Sequence, residues 1–439
     1  MTHPDVRNVL LLTHRIPFPP DKGDKIRSYH LLRHLARRYR VHLGAFVDDA
    51  ADLAHEAALR AICPDVRLFP IDPRMRKLAS LVGLFTGEPL SVRFYRDRRV
   101  GEWIGALRAR ERLDAVVTFS STMAQFAEGP GWSSTARIAD FIDVDSEKWR
   151  QYAATGGPPM SWVHAREART LLAFERRVAR QFDRTLFVSD AEASLFLDRA
   201  PETKGRVGHF SNGVDTEFFD PAVEMPDPYP PGGPVVVFTG AMDYRPNIEA
   251  VTWFADEILP HILRQRADAR FCIVGSKPTR AVRQLAERPG VIVTGRVPDV
   301  RAYLKSATVA VAPLRIARGI QNKVLEALAM ARPVVCTSSA AEGIDPQGSV
   351  LAGVEDDAAR FADATVRAMG SAARTDARQL VLQRFSWNSH LRELDALIEG
   401  RYGPDSSAST QSPNPDEFLP GGWKLRRPCT GNGEPGIGK

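Results

Sequence analysis

Residues 315–335 read RIARGIQNKVLEALAMARPVV and predict both a helix and the kind of ligand that binds at its start. A basic loop with Gly319 precedes the helix, and Lys323 lies in the first helical turn. Free amides at a helix start favour an anion, and glycine lets the backbone approach that anion closely. Lys323 and Arg315 add positive charge at the same end. The stretch therefore predicts a phosphate-binding site.

Glu326 follows Lys323 by three residues and shares its helix face, and Asn322 lies in the same turn. A carboxylate at this place can accept hydrogen bonds from a ribose or sugar hydroxyl, so a ligand with phosphates and a sugar meets both demands. The alternative is an amphipathic helix with a solvated Lys323–Glu326 pair, worth roughly a few tenths of a kcal/mol. The apolar run VAVAP at 309–313 favours the ligand site, because ligands of open α/β sheets bind beyond the carboxyl ends of buried strands.

Short apolar runs alternate with helical periodicity along the chain, which indicates parallel sheets flanked by helices. The predicted strands lie at 9–13, 41–47, 115–119, 137–141 and 185–188, and then at 235–240, 271–276, 291–296 and 309–313. Ser189 and Glu192 are predicted to form a capping box at the helix that follows. The expected fold class is α/β, with two tandem doubly wound, Rossmann-like domains of parallel sheet that face a cleft.

A chain of 439 residues is long enough for two domains and a tail. The turn HFSNGVD and the Pro/Gly-rich run at 220–234 predict a linker. The last periodic segment, 387–397, is expected to pack back across the first domain. We place three parts along the chain: an N-terminal domain at 1–205, a C-terminal domain at 206–400 and a disordered tail at 401–439.

The net charge of +6 arises entirely within residues 1–200, which hold 31 Lys/Arg against 25 Asp/Glu. The cysteines are widely separated: Cys63, Cys272, Cys336 and Cys429. Their spacing argues against a zinc site or a disulfide framework and indicates a reducing compartment. The first apolar run, NVLLLT, is too short for a signal-peptide core or a membrane span. We therefore expect a cytoplasmic protein.

Arginine is mixed with leucine and phenylalanine in three predicted N-terminal helices, at 26–40, 73–85 and 163–182. Core-facing helices with charged outer faces explain the first and the third. The segment 74–85 is the stronger candidate for contact with the anionic inner leaflet of a membrane, because cationic residues precede a nearly continuous apolar run. No nucleic-acid-binding motif accompanies the charge, so we expect no nucleic-acid partner.

Three runs stand out together: SNGVDTEFF at 211–219, FTGAMDYRPN at 238–247 and KVLEALAMARPVV at 323–335. They resemble the retaining glycosyltransferases of the GT-B class, family 4. More narrowly, the longer stretches around the last two are similar to sugar transferases associated with exopolysaccharide clusters of the PEP-CTERM/exosortase type. The resemblance covers about residues 8–400. It implies GT-B architecture, a nucleotide-sugar donor on the C-terminal domain, an acceptor on the N-terminal domain, and transfer with retained anomeric configuration.

The resemblance also implies roles for single residues of this sequence. Lys323 matches the lysine that binds the donor diphosphate, and Glu326 matches the carboxylate that contacts the donor ribose. Gly319 and the amides of Ile320 and Gln321 match the loop around the phosphates.

Three further positions match at the edges of the implied site. Gly23, in PPDKGDKIRS, matches the glycine loop that approaches donor and acceptor. Arg296 and Val297 lie where the family's turn holds the nucleobase.

Two positions depart from the family pattern. Arg318 stands where the first of two paired glutamates is common, eight residues before Glu326. The arginine and lysine usual after the first strand of the C-terminal domain are missing, because Ala, Met and Asp follow Gly240. Neutralisation of the diphosphate must then rest on other cations: Lys323, Arg315, Arg318 and Arg245. For Arg245, an ordinary exposed arginine is the alternative.

Asp143 and Asp145, in FIDVDSEKW, fall where the resemblance places an acceptor-side loop of the N-terminal domain. Many relatives have a histidine in that loop, so Asp143 or Asp145 is a candidate for orienting the acceptor hydroxyl, with Asp143 preferred. A helix cap ahead of SEKW is the alternative for Asp145. No aspartate pair stands beside the donor loop, so we expect no essential metal and no cofactor.

These residues lead us to expect a cytoplasmic glycosyltransferase, hexosyl-transferring and peripheral at the inner membrane face. Its partners would be a nucleotide-sugar donor, as co-substrate, and a glycan or polyprenyl-linked acceptor. Two alternatives stay open. One is a non-catalytic module that binds nucleotide sugars, which Arg318 at the acidic position makes conceivable, and the other is a sugar-nucleotide epimerase of the same architecture.

Overall fold

The computed structural model describes residues 6–20, 23–317, 320–345 and 348–400. The predicted tail at 401–439, with Cys429, lies outside the described residues, as do Arg318 and Gly319. The domain limits at 205 and 400 stay predictions. Both sheets of the fold belong to one compact unit of the chain.

Seven parallel strands form the first sheet, in the order β3-β2-β1-β4-β5-β6-β7. At its centre Leu11 on β1 lies opposite Leu43 on β2 and opposite Val117 on β4. The strands are β1 Asn8–Thr13, β2 Arg40–Val47, β3 Asp65–Pro70, β4 Ala115–Phe119, β5 Ala136–Ile142, β6 Arg184–Phe187 and β7 Val207–His209.

Helices cover both faces of this sheet, as buried parallel strands require. They are α1 Gly23–Ala36, α2 Glu56–Ile62, α3 Pro73–Ser80, α4 Gly83–Thr86, α5 Leu90–Phe94, α6 Arg98–Arg110, α7 Asp145–Thr155, α8 Met160–Gln181 and α9 Asp190–Arg199. Short 3₁₀ turns lie at Ala50–His55, Ser121–Phe126, Pro130–Trp132 and Pro201–Thr203.

Six parallel strands form the second sheet, in the order β10-β9-β8-β11-β12-β13. They are β8 Val235–Thr239, β9 Arg270–Val274, β10 Val291–Gly295, β11 Val309–Ala312, β12 Val334–Cys336 and β13 Gly353–Val354. Counted from the first strand of each sheet, the first six strands follow the same order in both. The prediction of two doubly wound, Rossmann-like α/β sheets is confirmed.

The helices of the second half are α10 Arg245–Trp253, α11 Leu259–Gln265, α12 Arg280–Gln284, α13 Val300–Ser306, α14 Asn322–Ala329, α15 Ser338–Ala341, α16 Ala358–Met369, α17 Thr375–Arg384, α18 Trp387–His390 and α19 Arg392–Ile398. A π-helical turn, Phe254–Ile258, joins α10 to α11, and a 3₁₀ turn lies at Leu285–Glu287. Among the helices of the described ranges, none has the length and apolarity needed to cross a bilayer.

The last two helices return to the first sheet, which confirms the prediction made for 387–397. Apolar side chains of α18 and α19 belong to the same buried cluster as those of α1 and β2: Trp387, Leu391, Leu394 and Ile398 with Leu31, Leu35 and Leu43. The carboxylate of Asp395 on α19 binds three side chains at the end of α1 and after it: His34 at 3.0 Å, Arg38 at 2.5 Å and Tyr39 at 3.1 Å.

Two crossing segments meet at Gly213, within the run SNGVDTEFF. A Cβ on Gly213 would lie 2.5 Å from the amide nitrogen of Trp387, closer than a side chain tolerates. The neighbouring Val214 forms a parallel bridge with Ser386. Glycine is thus needed where the connection between the sheets and the returning chain touch.

The capping box predicted at Ser189 forms only in part. The Ser189 hydroxyl accepts from the Glu192 amide at 3.2 Å, as expected. The Glu192 carboxylate instead accepts from the amide of Val144 at 2.8 Å, ahead of α7. The Glu192 carboxylate therefore binds the start of α7 and does not close the capping box on Ser189.

Arg27 on α1 is almost fully buried and binds Asp140 on β5 with two hydrogen bonds, of 2.8 and 3.1 Å. It also donates to the carbonyl of Phe210 and to Asn212, both at 3.0 Å, and its guanidinium lies over the Phe210 ring. One cation thereby joins a helix, a strand and the start of the connection to the second sheet.

We expect Asp140→Ala to lower the free energy of unfolding by about 3 kcal/mol, because it leaves a buried guanidinium without its counter-ion. Urea denaturation followed by circular dichroism measures the effect. Glu102→Ala is the matched control: it removes the carboxylate of an exposed pair with Arg98 and should change stability by about 0.5 kcal/mol or less. Equal effects of the two substitutions would contradict this account of the pair.

Candidate functional site

The second sheet reverses its strand order between β8 and β11, which are neighbours in the sheet. The chain leaves β8 towards β9 on one side and leaves β11 towards β12 on the other. The loops that follow β8 and β11 therefore diverge and open a crevice at the carboxyl edge. Ligands of doubly wound sheets bind at such a switch point.

Lys323, in the first turn of α14, reaches into this crevice. Its ammonium donates a hydrogen bond to the side-chain oxygen of Asn247 on α10 and lies 4.5 Å from the centre of the Phe238 ring on β8. Asn247 is buried and is itself held by its amide, which donates to the carbonyl of Ala241 at 2.9 Å. The lysine is thus fixed by neutral groups.

Burial lowers the pKa of Lys323 to about 8, against the opposing charge of Glu326. Burial also raises the pKa of Glu326 to about 7, against the charge of Lys323. Both shifts favour the neutral forms, so the carboxyl group takes up a proton more readily, and the lysine loses one more readily, than the same groups do in water. The pair can therefore attract an anion and also exchange hydrogen bonds with hydroxyl groups.

The described contacts include no ion pair between Lys323 and Glu326, and burial shifts the pKa of both groups, so the two side chains are not a fully solvated pair. Glu326 instead lines a cleft of about 630 Å³ together with Asn322. Across the cleft lie Ile26 and Tyr29 of α1, which belongs to the first sheet. The cleft thus brings α14 of the second sheet opposite α1 of the first.

Gly240 follows β8 and packs behind Lys323. A Cβ on Gly240 would lie 2.7 Å from the side-chain amide nitrogen of Asn247 and 3.4 Å from the ammonium of Lys323. On its other side, a Cβ on Gly275 would lie 1.6 Å from the carbonyl oxygen of Gly240. Two glycines are therefore required for the loop after β8 to approach the lysine.

The other predicted cations lie towards solvent. Arg315 is exposed, and its guanidinium lies 5.5 Å from the centre of the Trp253 ring. Arg245, the first residue of α10, is exposed and pairs with Glu249 at 2.8 Å on the same helix. Of the implied phosphate loop, Ile320 and Gln321 precede α14, while Arg318 and Gly319 lie outside the described residues.

Three other predicted positions follow β10 or begin α1. Arg296 and Val297 follow β10, which β9 separates from β8, so they lie about 10 Å along the sheet. Val297 packs on the core and Arg296 is exposed. Gly23 begins α1, and a Cβ there would meet no atom within 4 Å.

Asp143 and Asp145 share one cation, Lys148 of α7. The lysine ammonium lies 2.7 Å from Asp143 and 3.2 Å from Asp145, and Ser121 donates to Asp145 at 3.4 Å. Burial alone would lower the pKa of Lys148, but the two carboxylates raise it above its usual value. Asp145 is the first residue of α7 and makes no cap, so the predicted helix cap is wrong.

The start of α7 is held instead by Glu175 on α8, a residue that the sequence did not single out. Its carboxylate accepts from the Ser146 hydroxyl at 2.6 Å and from the Ser146 amide at 3.3 Å. Burial, with the nearby charge of Asp145, raises the pKa of Glu175 to about 8. A buried acid thus fixes the turn that carries both aspartates.

A second group that sequence reasoning missed follows β1. Arg15 binds Asp24 at 2.7 Å and Asp48 at 3.0 Å, and His14 lies 3.5 Å from Asp24. The hydrogen bond and charge of His14, with the charge of Arg15, hold the pKa of Asp24 well below its usual range. The sequence does contain a sign of this group, because the polar residues His14 and Arg15 directly follow the buried strand β1.

Among the described residues, no three or more His, Cys, Asp or Glu side chains are grouped so that they could hold a metal ion. The expectation that no metal or cofactor is needed stays a prediction. Cys63, Cys272 and Cys336 are buried free thiols.

Two Rossmann-like sheets with a cleft between them define the GT-B architecture, and this fold is shared with solved structures. A glycosyltransferase from Rickettsia africae ESF-5 matches with a TM-score of 0.57 at 11% identity, over 90% of this chain and 98% of that one. Anabaena Alr3699/HepE in complex with UDP matches with a TM-score of 0.56 at 14% identity, over 90% and 100%. The Escherichia coli trehalose-6-phosphate structure bound with UDP-2-fluoro glucose matches with 0.54 at 12%, over 89% and 99%.

Residues 233–371 match the family model described as glycosyl transferases group 1. This range holds the second sheet together with Gly240, Asn247, Lys323 and Glu326. The comparison with curated proteins found no match. Because the solved structures share so little sequence with this chain, their likeness establishes the fold alone. The family match adds support for a glycosyltransferase of the GT-B class.

We expect Gly240→Ala to weaken binding of a nucleoside diphosphate about tenfold or more, because its methyl group would displace Asn247 and Lys323. Isothermal titration with UDP measures the affinity. Gly101→Ala is the control, since a Cβ there meets nothing within 4 Å on helix α6. Unchanged UDP affinity in Gly240→Ala would show that the lysine does not need this packing.

We expect affinity for UDP to fall as the pH rises from about 7 to about 9, because Lys323, with a pKa of about 8, loses its proton over that range. The protonated ammonium attracts the diphosphate, so binding favours the form present at lower pH. Titrations at several pH values with Lys323→Met alongside measure the effect. An equally steep profile in Lys323→Met would assign the dependence to another group.

Proposed function

We propose that the protein is a glycosyltransferase that moves a hexosyl group from a nucleotide sugar to a glycan or lipid-linked acceptor, with retention of the anomeric configuration. We further propose that it acts at the inner face of the membrane in the synthesis of exopolysaccharide or another cell-surface glycan. One observation carries the proposal: a half-buried lysine with a lowered pKa and no ion-pair partner among the described residues, at the switch point of the second sheet.

The chemistry of transfer fits a site of this kind. Cleavage of the bond to the sugar leaves negative charge on the departing nucleoside diphosphate, and fixed donors aimed at that charge lower the barrier. Lys323 is such a donor because Asn247 and the Phe238 ring hold it in place before any ligand binds. The amides at the start of α14 add a favourable dipole.

Glu326 serves the sugar part of the donor in this proposal. It lines the cleft with Asn322, and its raised pKa lets it donate as well as accept a hydrogen bond near neutral pH. Structural neighbours that contain UDP and UDP-glucose support a uridine nucleotide as the first donor to test. The nucleobase would lie towards Arg296 and Val297, along the same sheet edge.

The acceptor side rests on the carboxyl edge of the first sheet. Asp143 and Asp145 project there beside Lys148, and Ser121 and His14 follow neighbouring strands. We propose that Asp143, whose carboxylate has one described partner, Lys148, against two for Asp145, orients the attacking hydroxyl of the acceptor. The departing diphosphate can also take up the proton of that hydroxyl, so the step balances without a metal or cofactor.

We expect Lys323→Ala to abolish sugar transfer and to weaken donor binding, since removal of one charge-stabilising donor often costs about 3 kcal/mol, or a hundredfold in rate. The fold should stay intact by circular dichroism. Lys204→Ala, at an exposed lysine of the N-terminal half, is the matched control and should keep full activity. Full activity in Lys323→Ala would place the donor site elsewhere.

A thermal-shift screen against UDP-, GDP- and ADP-sugars identifies the donor, because a specific ligand raises stability by mass action. Incubation of the stabilising donor with and without a glycan acceptor then separates the alternatives. An epimerase alters the donor without an acceptor, and a binding module leaves it unchanged. Nuclear magnetic resonance of the product reports the anomeric configuration, and an inverted product would refute retention.

A further inference from the structure

A row of large apolar side chains is exposed to solvent within residues 75–85. Six of the sixteen exposed large apolar side chains in the described residues lie in this one segment: Met75, Leu78, Leu81, Val82, Leu84 and Phe85. Phe85 is 90% exposed and Leu78 is 63% exposed. Monomeric proteins rarely expose so many neighbouring apolar side chains, so this segment, the apolar ridge, is expected to be an interaction surface.

The ridge is firmly attached to the first sheet's helices. Asp72 caps α3 by accepting from the amides of Arg74 and Met75. The guanidinium of Arg76 binds Asp97, and that of Arg166 on α8 binds the carbonyl of Gly83. Because these contacts fix one side of the segment, its apolar side chains are held outwards rather than left loose.

A tryptophan extends the ridge on a neighbouring helix. Trp162 is 70% exposed and lies one turn before Arg166 on α8, on the same helix face. Since Arg166 contacts Gly83, this face of α8 runs next to the ridge. Tryptophan is enriched where apolar and aqueous phases meet, because its ring is amphipathic.

The charges around the ridge are unbalanced in favour of cations. Glu88 is engaged by Arg93 and Arg96, and Asp97 by Arg76 and Arg99. Two exposed cations of α3 itself have no ion-pair partner among the described residues: Arg74 and Lys77. Arg169, also exposed, lines an open cavity of about 550 Å³ that begins at Thr86, directly after the ridge.

We propose that residues 73–86 and Trp162 form a docking surface for an anionic phospholipid bilayer. An apolar ridge flanked by free cations fits such a bilayer, because the ridge inserts at the boundary between headgroups and acyl chains while the cations bind the lipid phosphates. Leu78, Phe85 and Trp162 insert, and Arg74 and Lys77 bind headgroups. The inference deepens the proposed function by naming the surface that meets the membrane, yet it does not depend on the donor site.

Co-sedimentation of the full chain with lipid vesicles tests the proposal. We expect binding to vesicles of phosphatidylcholine with phosphatidylglycerol, and about tenfold weaker binding to phosphatidylcholine alone, with added salt weakening the former. Leu78→Glu/Phe85→Glu should reduce binding about tenfold or more. Because both side chains are exposed, thermal melting should be unchanged.

Two controls keep the outcomes distinct. Val223→Glu introduces one carboxylate at an exposed apolar side chain outside the ridge and should bind vesicles as the wild type does; Phe85→Glu alone, which adds the same single charge, should bind them more weakly. Lys323→Ala should also bind normally, so loss of sugar transfer and loss of docking are separate results. Wild-type protein that stays in the supernatant, or a double variant that sediments fully, overturns the proposal. So does sedimentation velocity showing a dimer without lipid that the double substitution dissociates, because the ridge would then join two copies.

Discussion

A half-buried positive charge set against neutral groups is the constraint on which the carboxyl edge of the second sheet depends. Lys323 lies against an amide oxygen and an aromatic ring, neither of which cancels its charge. Such a group is costly to bury unless an anion completes its surroundings. The tight packing at Gly240 and Gly275 serves this arrangement, because any larger residue would push the loop after β8 away from the ammonium.

At the carboxyl edge of the first sheet, by contrast, the cations are paired with carboxylates. There Arg15 is shared by Asp24 and Asp48, and Lys148 by Asp143 and Asp145, so each cation is already matched by acids. An edge of this kind offers oriented hydrogen-bonding groups without excess positive charge. The contrast suits the proposed division of labour, with a charged nucleotide at one edge and neutral sugar hydroxyls at the other.

Sequence patterns located the long, fully buried strands but missed the weak ones. Strands β1, β4 and β8 are continuous apolar runs, whereas β3 carries Arg67 within an irregular pattern of burial and β13 has only two residues. The helix that carries Lys323 could be predicted because it has a distinctive loop and periodicity. Asn247 and Glu175 were missed, since polar residues in helices are mostly exposed and only tertiary contacts bury these two.

The return of α19 to the first sheet has a consequence for synthesis of the chain on the ribosome. Domains generally acquire their structure from the N-terminus onwards as the chain emerges. Here the surface formed by Leu31, Leu35 and Leu43 is completed only by Leu394 and Ile398, near the end of the described chain. During synthesis, the apolar face of the first sheet's helices and strands therefore stays uncovered until the whole second sheet has been translated.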